Sequence, residues 1–408
     1  MNPTTLAAVL MAALMSVLAA CGTVPDRKPL PDPQEQMAEI PGVPNARFWG
    51  DATPDFLLER LANSTVEEIR ARQTGIVGVP HYYLAISGGG PDGAFGAGLL
   101  NGWTETGTRP EFTMVTGIST GALIAPFAFL GSDYDQTLKD MYTLYTTDDL
   151  VTARSWTEII TGDAAASTEK LREIIYGYMT PQLMNELAEA FKKGRRLFVS
   201  TTNLDAKRPV IWNITAIAAS DRPDKRDLIS DVLLASASVP GAFPPVLFEV
   251  EFEGQRYDEL HVDGGAVSQV FVYPTTIDWP ALMEILDVQG RPEVYVIRNS
   301  PLDARWSTVN PDIFSIVGAS VSSLIRTQGI GDLDRIYLTS LRDGNDFYLA
   351  YVPDDFDKEP QEAFDLEYMR ELYDIGYELA VNGYPWARKP VGFDVVDIDL
   401  EEDVKHEE

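Results

Sequence analysis

Hydrophobic and polar residues follow a different pattern in each successive part of this chain. An apolar stretch dominates residues 1–20, and a polar, Pro-rich stretch follows in residues 21–55. Apolar residues at helical spacing in residues 56–75 predict one amphipathic helix. Strand-like and helix-like runs alternate through residues 76–392, and residues 393–408 are strongly acidic. The pattern predicts one large domain, preceded by a leader, an extended tether and a helix, and followed by a solvated tail.

The alternation in residues 76–392 is typical of an α/β sheet protein. The apolar runs predict buried strands and helices, the strands at 81–87, 112–115, 196–201 and 293–297 and the helices at 122–129, 168–178 and 367–381. Residues 337–351 predict two paired strands around a turn at Asp343 and Gly344. Because 408 residues with 45% hydrophobic content bury one large core and are too few for three domains, we expect a single α/β domain.

The first 20 residues resemble a bacterial lipoprotein signal peptide. Their apolar run, residues 5–20, is too short to span a bilayer comfortably. The sequence LAAC that ends at Cys21 is similar to a lipobox, in which the cysteine becomes the lipidated first residue of the mature protein. The initial MNPTT carries no Lys or Arg, which departs from that pattern. We expect lipidation at Cys21, and the alternative is an uncleaved apolar leader followed by an incidental cysteine.

Cys21 is also the one cysteine in the sequence, so no disulfide forms within the chain. Gly22, rather than Asp, follows it, which resembles the pattern that sorts lipoproteins to the outer membrane in enterobacteria. These resemblances imply a protein of the bacterial cell envelope, anchored in the outer membrane through a lipid on Cys21.

The formal net charge of −30 narrows the classes of partner. Nucleic acid is excluded as an expected partner, because its recognition draws affinity from Lys and Arg that neutralise phosphates. The same charge would repel an anionic membrane surface. Attachment to a membrane must therefore come from hydrophobic insertion or from a covalent lipid.

A glycine-rich loop is predicted directly after the first buried strand. The sequence SGGGPDGAFG runs from Ser87 to Gly96, and consecutive glycines allow backbone N–H groups to converge on one anion. In an acyl hydrolase that anion is the tetrahedral oxyanion. The same glycines fit a dinucleotide fingerprint, but Pro91 lacks an N–H and Asp92 would repel a pyrophosphate. A turn without a ligand is the remaining alternative.

The sequence Gly117-Ile118-Ser119-Thr120-Gly121 lies between a strand-like run and a helix-like run. This is the context of a nucleophile elbow, in which a serine oxygen projects at the positive end of a helix. The G-x-S-x-G string alone is weak evidence, because it arises by chance in long, Gly-rich chains. The flanking elements make Ser119 the predicted nucleophile.

A serine nucleophile needs a base, and Asp263 is the candidate. It lies in the sequence VDGGA, at the predicted end of a strand, with glycines opening the turn after it. Taken alone, this motif is an ordinary turn. We predict that Asp263 takes the Ser119 proton directly, and that partial burial raises the pKa of Asp263 to a value useful for a base.

The three histidines of the chain are poorly placed for the same task. His406 lies in the acidic tail, and His81 begins the strand whose far end carries the glycine-rich loop. His261 precedes Asp263 by two residues, which places it one layer below the strand end. A catalytic His261 stays as the alternative to a dyad of serine and aspartate.

Together, SGGGPDGAFGAG, GISTG and VDGGA resemble the three signature blocks of the patatin-like phospholipase family. The run LASASVPGAFPP, residues 234–245, is similar to that family's segment between nucleophile and aspartate, and the resemblance covers residues 82–266. It implies a three-layer α/β/α fold with a central, mainly parallel sheet. It also implies a dyad of Ser119 and Asp263, with no metal or other cofactor, and an oxyanion hole formed by the backbone of Gly88, Gly89 and Gly90.

The resemblance further implies ester hydrolysis of membrane phospholipids or lysophospholipids through an acyl-enzyme. One departure from the family is Asp92, where the glycine-rich block commonly has Arg or Lys. An acid there weakens any role in binding a lipid headgroup and leaves the backbone donors untouched. The alternative from another class is a lipid-anchored binding or assembly lipoprotein that keeps the fold without turnover, and a dinucleotide enzyme ranks third.

Overall fold

A nine-stranded sheet forms the centre of the fold. The computed structural model describes residues 27–31, 38–155, 163–304, 306 and 308–393. The strands of the sheet are β1 (Arg47–Trp49), β2 (Tyr82–Ile86), β3 (Met114–Gly117), β6 (Arg196–Asn203), β7 (Arg208–Asn213), β8 (Val246–Phe252), β9 (Gln255–Asp263), β10 (Glu293–Arg298) and β11 (Asp346–Tyr351). Two further strands, β4 (Thr152–Ala153) and β5 (Ala166–Ser167), pair with each other in a separate sheet.

Helices lie between most of these strands. They are α1 (Asp55–Ala62), α2 (Val66–Ala71), α3 (Gly93–Glu105), α4 (Thr120–Leu130), α5 (Asp135–Thr143), α6 (Thr147–Leu150), α7 (Glu169–Tyr178), α8 (Pro181–Lys193), α9 (Ile214–Ala219), α10 (Lys225–Ser236), α11 (Trp279–Ile285), α12 (Ile313–Asp343) and α13 (Leu366–Val381). The predicted signal peptide and Cys21 lie outside the described residues, and so does the predicted acidic tail except Phe393.

The sheet is parallel in its middle and antiparallel on one side. Strands β6, β3, β2, β10 and β11 are neighbours in that order, and each pair is parallel. Strands β7 and β1 continue the sheet beyond β6 in antiparallel pairing, while β8 joins through β9. The predicted α/β fold with a central, mainly parallel sheet is confirmed. Its predicted strands and helices at 81–87, 112–115, 196–201, 293–297, 122–129, 168–178 and 367–381 are each present within two residues of the expected ends.

Both faces of the sheet are covered by helices. Successive side chains of a strand point to opposite faces. Leu84 and Ile86 of β2 therefore join one hydrophobic core, which includes residues of α3, α4, α8 and α10. Tyr83 and Ala85 join the other core, with Trp279 of α11 and residues of α12. Burial on both faces explains why the middle strands are almost continuously apolar.

The predicted single helix in residues 56–75 is wrong, because two short helices occupy this segment. The first, α1, ends at Ala62, and α2 begins at Val66. The Thr65 side chain accepts a hydrogen bond from the Glu68 amide, and the Glu68 carboxylate accepts one from the Thr65 amide, at 3.2 and 2.9 Å. This reciprocal capping box starts a new helix. The spacing of apolar residues persists across the break and does not reveal it.

The predicted tether, residues 21–55, is also wrong over its described second half. The side chains of Ala38, Ile40, Val43 and Ala46 are buried in the main core, and β1 pairs with β7. Proline density suggested an extended linker and obscured these small apolar positions, which pack against the domain. Residues 27–31, the described part of the first half, also contact the domain, because Arg27 forms an ion pair with Asp205 at its surface.

The third error is the pair of strands predicted for residues 337–351. Residues up to Asp343 are the last turns of α12, and only β11 is a strand, parallel to β10. Gly344 has a φ of +74° and follows the helix directly, as a glycine does at many helix ends. An Asp-Gly pair is a signal for a hairpin turn and also fits a helix end, and here the second role applies.

Candidate active site

The three predicted motifs meet at the carboxyl ends of the parallel strands. The register explains how Asp263 reaches Ser119. β3 pairs with β6 as far as Gly117 and Val199, and β9 then takes over the same edge of β6, with Asp263 opposite Thr201. The last residue of β9 therefore lies directly beyond the end of β3, next to the turn that carries Ser119.

Ser119 occupies a strained turn between β3 and α4. Its φ is 55° and its ψ is −126°, a conformation that costs a residue other than glycine about 1–3 kcal/mol. The Ser119 amide donates to the Ser236 hydroxyl at 3.0 Å, and that hydroxyl donates to the Ser200 carbonyl at 2.7 Å. A Cβ on Gly121 would overlap the Ile86 carbonyl, so the motif must end in glycine. The predicted strand, tight turn and helix are present.

Asp263 lies in the interior, between Ser119 and Gly265. The Gly265 amide donates to Oδ1 at 2.7 Å, and the Ser119 hydroxyl is near enough to the carboxylate to act on its pKa as a hydrogen-bond donor. Burial raises the pKa of Asp263 to about 7, although Ser119 and Gly265 both act to lower it. Only 4% of Asp263 and 8% of Ser119 are exposed. A serine beside a carboxylate of near-neutral pKa is an arrangement able to transfer a proton at neutral pH.

The glycine-rich loop lies against this pair. Gly88 is so close that a Cβ on it would be 3.2 Å from the Cβ of Ser119. Its amide, however, donates to the Gln269 carbonyl at 3.2 Å. The amides of Gly89 and Gly90 have no acceptor within the described part of the chain, and Gly89 is exposed. Of the three predicted oxyanion donors, Gly89 and Gly90 are available, and Gly88 is already bonded.

Asn299, which the sequence analysis did not single out, fixes the loop from behind. Its side-chain amide donates to the Ser87 carbonyl at 2.9 Å, and its Oδ1 accepts the Gly96 amide at 3.2 Å. A Cβ on Gly89 would overlap the Asn299 carbonyl, so this position admits only glycine. Asn299 directly follows the buried strand β10 and is itself fully buried. The sequence signal that could have identified Asn299 is a polar residue directly after a buried apolar strand.

Asp92 has a structural role in the same loop. Tyr368 of α13 donates its hydroxyl to the Asp92 carboxylate at 2.6 Å. This bond ties the short turn after the loop to the helix that packs along α3. An acid in place of a basic residue therefore has a partner in this chain, and it does not by itself argue against an active site.

The described histidines lie away from Ser119. His81 bonds the Tyr83 hydroxyl and the Ile76 carbonyl at the far end of β2. His261 bonds Thr201 at 2.8 Å and Glu259 at 3.0 Å. Burial lowers the pKa of both histidines. Both imidazoles therefore already have hydrogen-bond partners within the fold. His406 lies outside the described residues.

A protein-family model matches the part of the chain that contains these residues. Residues 84–276 match the family model described as patatin-like phospholipase. This range contains all three motifs. No match was found among curated proteins.

Two solved structures are similar to this chain at low identity. One is VipD from Legionella pneumophila, with 12% identity, a TM-score of 0.32, and coverage of 74% of this chain and 66% of VipD. The other is the complex of full-length SpcU with full-length ExoU from the type III secretion system of Pseudomonas aeruginosa, with 11% identity, a TM-score of 0.31, and coverage of 74% and 52%. The chain thus spans less than two thirds of the length of either.

The raised pKa of Asp263 predicts a stability that falls as pH rises. Between the unfolded value of about 4 and the folded value near 7, the folded state binds more protons, so each pH unit removes about 1.4 kcal/mol from the free energy of unfolding. Asp263→Asn removes this loss of stability, because an asparagine side chain does not ionise. We expect the variant to be more stable than the wild type at pH 8 by about 4 kcal/mol, and nearly equal at pH 4, in urea denaturation followed by circular dichroism.

Ser119→Ala serves as the matched control, because it removes the hydroxyl and keeps the buried carboxyl. It should retain the dependence of stability on pH. An equal stability of Asp263→Asn and wild type at both pH values would show that Asp263 ionises normally in the folded protein.

Proposed function

Residues 84–276 of this chain are a patatin-like phospholipase domain, and from that premise we propose that the protein cleaves carboxylic esters of membrane phospholipids or lysophospholipids. Ser119 is the proposed nucleophile and Asp263 the proposed base. The observation that carries the proposal is the strand register that places the buried Asp263 carboxylate beside the Ser119 turn, where burial raises its pKa to about 7. The available amides of Gly89 and Gly90 beside it support the same chemistry.

In the proposed first step, the Ser119 oxygen attacks the ester carbonyl while Asp263 accepts the hydroxyl proton. The amides of Gly89 and Gly90 stabilise the oxyanion, and removal of one such donor costs about 3 kcal/mol in comparable sites. The leaving alcohol takes the proton from Asp263, and an acyl-serine ester remains. Asp263 then deprotonates a water molecule, which attacks the acyl-serine ester. The bond to the Ser119 oxygen breaks, Asp263 returns the proton to that oxygen, and the fatty acid is released.

A long helix with an uncharged segment beside the site supports a substrate held in a membrane. No residue of α12 from 313 to 325 is charged, and Val317 and Leu324 are more than half exposed. Gln328, one turn further, accepts a hydrogen bond at 3.2 Å from Gln269, whose carbonyl bonds the Gly88 amide. Within the described residues, no helix is both long and apolar enough to cross a bilayer. The proposed role of this segment is to lie against the bilayer surface beside the active site.

The proposed location is the bacterial cell envelope, at the outer membrane, through a lipid on Cys21. The support is the similarity of LAAC to a lipobox and the Gly that follows it. A tethered hydrolase meets bilayer lipids at a high effective concentration, so this location fits the proposed substrate.

Covalent labelling tests the nucleophile. A fluorophosphonate probe should label the wild type and leave Ser119→Ala unlabelled, and mass spectrometry should find fatty acids released from phospholipid vesicles by the wild type alone. A wild type without labelling, or a labelled Ser119→Ala, would contradict the proposal.

His261→Asn separates a dyad from a triad in the same assay. Because His261 contacts Glu259 and Thr201 in the interior, we expect lower stability but at least a tenth of the wild-type rate in the folded fraction. A folded His261→Asn protein as inactive as Ser119→Ala would establish a triad.

Leu324→Glu tests the membrane role of α12. Placing a charge on this segment should lower hydrolysis of vesicle phospholipids at least tenfold, because a carboxylate resists transfer into the interface. The rate on a water-soluble butyrate ester should stay within twofold. Leu341→Glu is the matched control, since Leu341 is also about half exposed but lies at the other end of α12. Equal losses on both substrates would contradict the proposed contact.

Replacing Cys21 tests the anchor. Wild-type protein from membranes should carry the mass of a lipidated N-terminus, whereas Cys21→Ser should lack that mass and partition into the soluble fraction. Membrane association without any lipid mass in the wild type would rule out the lipoprotein interpretation.

A further inference from the structure

A second region of the molecule has the form of a ligand site. A cavity of about 810 Å³ lies between one face of the sheet and the helices α1, α2, α11 and α12. Apolar side chains form most of its wall, among them Phe48, Tyr83, Phe198 and Val272. Ser119, Asp263 and the glycine-rich loop do not line it. Its volume is within the range of pockets for small ligands, about 300–1,000 Å³.

The charged residues that line this cavity are mostly basic, whereas the chain as a whole is acidic. The chain has 62 acidic residues and 32 Lys and Arg residues. The cavity wall instead has four arginines, which are Arg60, Arg72, Arg196 and Arg335, and one acid, Asp51. Asp51 is already bonded to Arg208 at 2.9 Å, and Arg335 is bonded to Asp332 at 2.7 Å, which leaves three arginines of the wall without an acid partner among the described residues. The wall is therefore cationic in an otherwise strongly acidic protein.

Arg196 is the most informative of these residues. It begins β6, and its Nη1 donates to the carbonyls of Phe191 and Arg195 at 3.0 and 2.9 Å. No acid of the described chain pairs with it, and its charged neighbour is a second arginine, Arg60. Burial, together with the nearby charge of Arg60, lowers the pKa of Arg196 to about 10. Two adjacent guanidinium groups without a counter-charge are unfavourable, and a bound anion would relieve that cost.

The cavity continues from these arginines as an apolar channel along β6. Arg196, Phe198 and Ser200 are alternate residues of this strand and all line the cavity, so they span about 13 Å on one face of the sheet. Such a space accommodates an extended apolar chain with a charge at one end.

We propose that this cavity binds one long-chain fatty acid anion, with its carboxylate between Arg196 and Arg60 and its chain along the apolar face of β6. The site is separate from Ser119, and its occupation does not depend on turnover. Fatty acid is also the acyl product of the proposed hydrolysis, so the site would be available to the enzyme's own product.

The far end of the channel approaches the active site from behind. Ser200 of β6 lines the cavity. Its carbonyl accepts a hydrogen bond from the Ser236 hydroxyl, and that hydroxyl accepts one from the Ser119 amide. Val267 and Ser268, just after the Asp263 turn, also line it. A chain in the cavity therefore contacts the elements that position both Ser119 and Asp263.

The test measures fatty-acid binding in the Ser119→Ala background, where no acyl-enzyme forms. Titration with oleate below its micelle concentration, followed by calorimetry, should give one site per chain. Arg60→Gln should weaken binding at least tenfold, and so should Arg196→Gln. Methyl oleate, which lacks the carboxylate, should bind at least tenfold more weakly than oleate.

Arg256→Gln is the matched control, because Arg256 is an exposed arginine with its own acid partner, Glu249. It should leave the affinity within twofold. Arg60 is exposed, so its replacement tests the proposal even where Arg196→Gln fails to fold. Oleate affinity that is unchanged in Arg60→Gln would overturn the proposed site.

A second arm separates this site from the active site. Wild-type protein whose Ser119 carries a long-chain fluorophosphonate should still bind oleate. Loss of oleate binding on labelling would show that the chain occupies the active site instead, and the proposal would fail while the proposed hydrolysis stands. If the probe does not label the protein but oleate still binds, the proposed hydrolysis fails and the fatty-acid site stands.

Discussion

The contact between Ser119 and Asp263 depends on a change of partner along one edge of β6. That edge pairs with β3 up to Val199 and with β9 from Thr201 onward. Because β3 stops there, its chain is free to turn sharply into α4, and because β9 arrives there, a carboxylate lies beside the turn. The antiparallel part of the sheet therefore supplies the proposed base, Asp263, to a site built on parallel strands.

Burial gives Asp263 its chemical use and also a cost in stability. A carboxylate in the interior with two hydrogen-bond donors titrates near pH 7, where it is able both to accept and to return a proton. The fold keeps the surrounding geometry through bonds that do not involve the reacting atoms. Ser236 holds the amide of Ser119, Asn299 holds Ser87, and Asp332 of α12 accepts the amide of Gln269 at 2.6 Å. These contacts fix strained or buried groups in one arrangement.

The local motifs were predictable from the sequence, and the contacts between distant segments were not. Glycines around Ser119, and Asp263 before a glycine pair, have strong local causes in turn geometry, so the pattern placed them at strand ends correctly. Asn299 and Ser236 act through partners far away along the chain, and no spacing rule reveals them. The errors have the same origin. The burial of Ile40 and Val43 depends on surfaces that the Pro-rich segment meets only in the folded protein, and the Asp343-Gly344 pair changes meaning with the helix before it.

The charge distribution constrains the proposed contact with a bilayer. At a net charge of −30, the protein would be repelled by anionic lipids, and at physiological salt this repulsion acts over about 8 Å. A segment without charges loses least by close contact, and α12 has no charged residue from 313 to 325. If the protein acts on bilayer lipids as proposed, this segment is therefore the part of α12 that we expect to face the lipid.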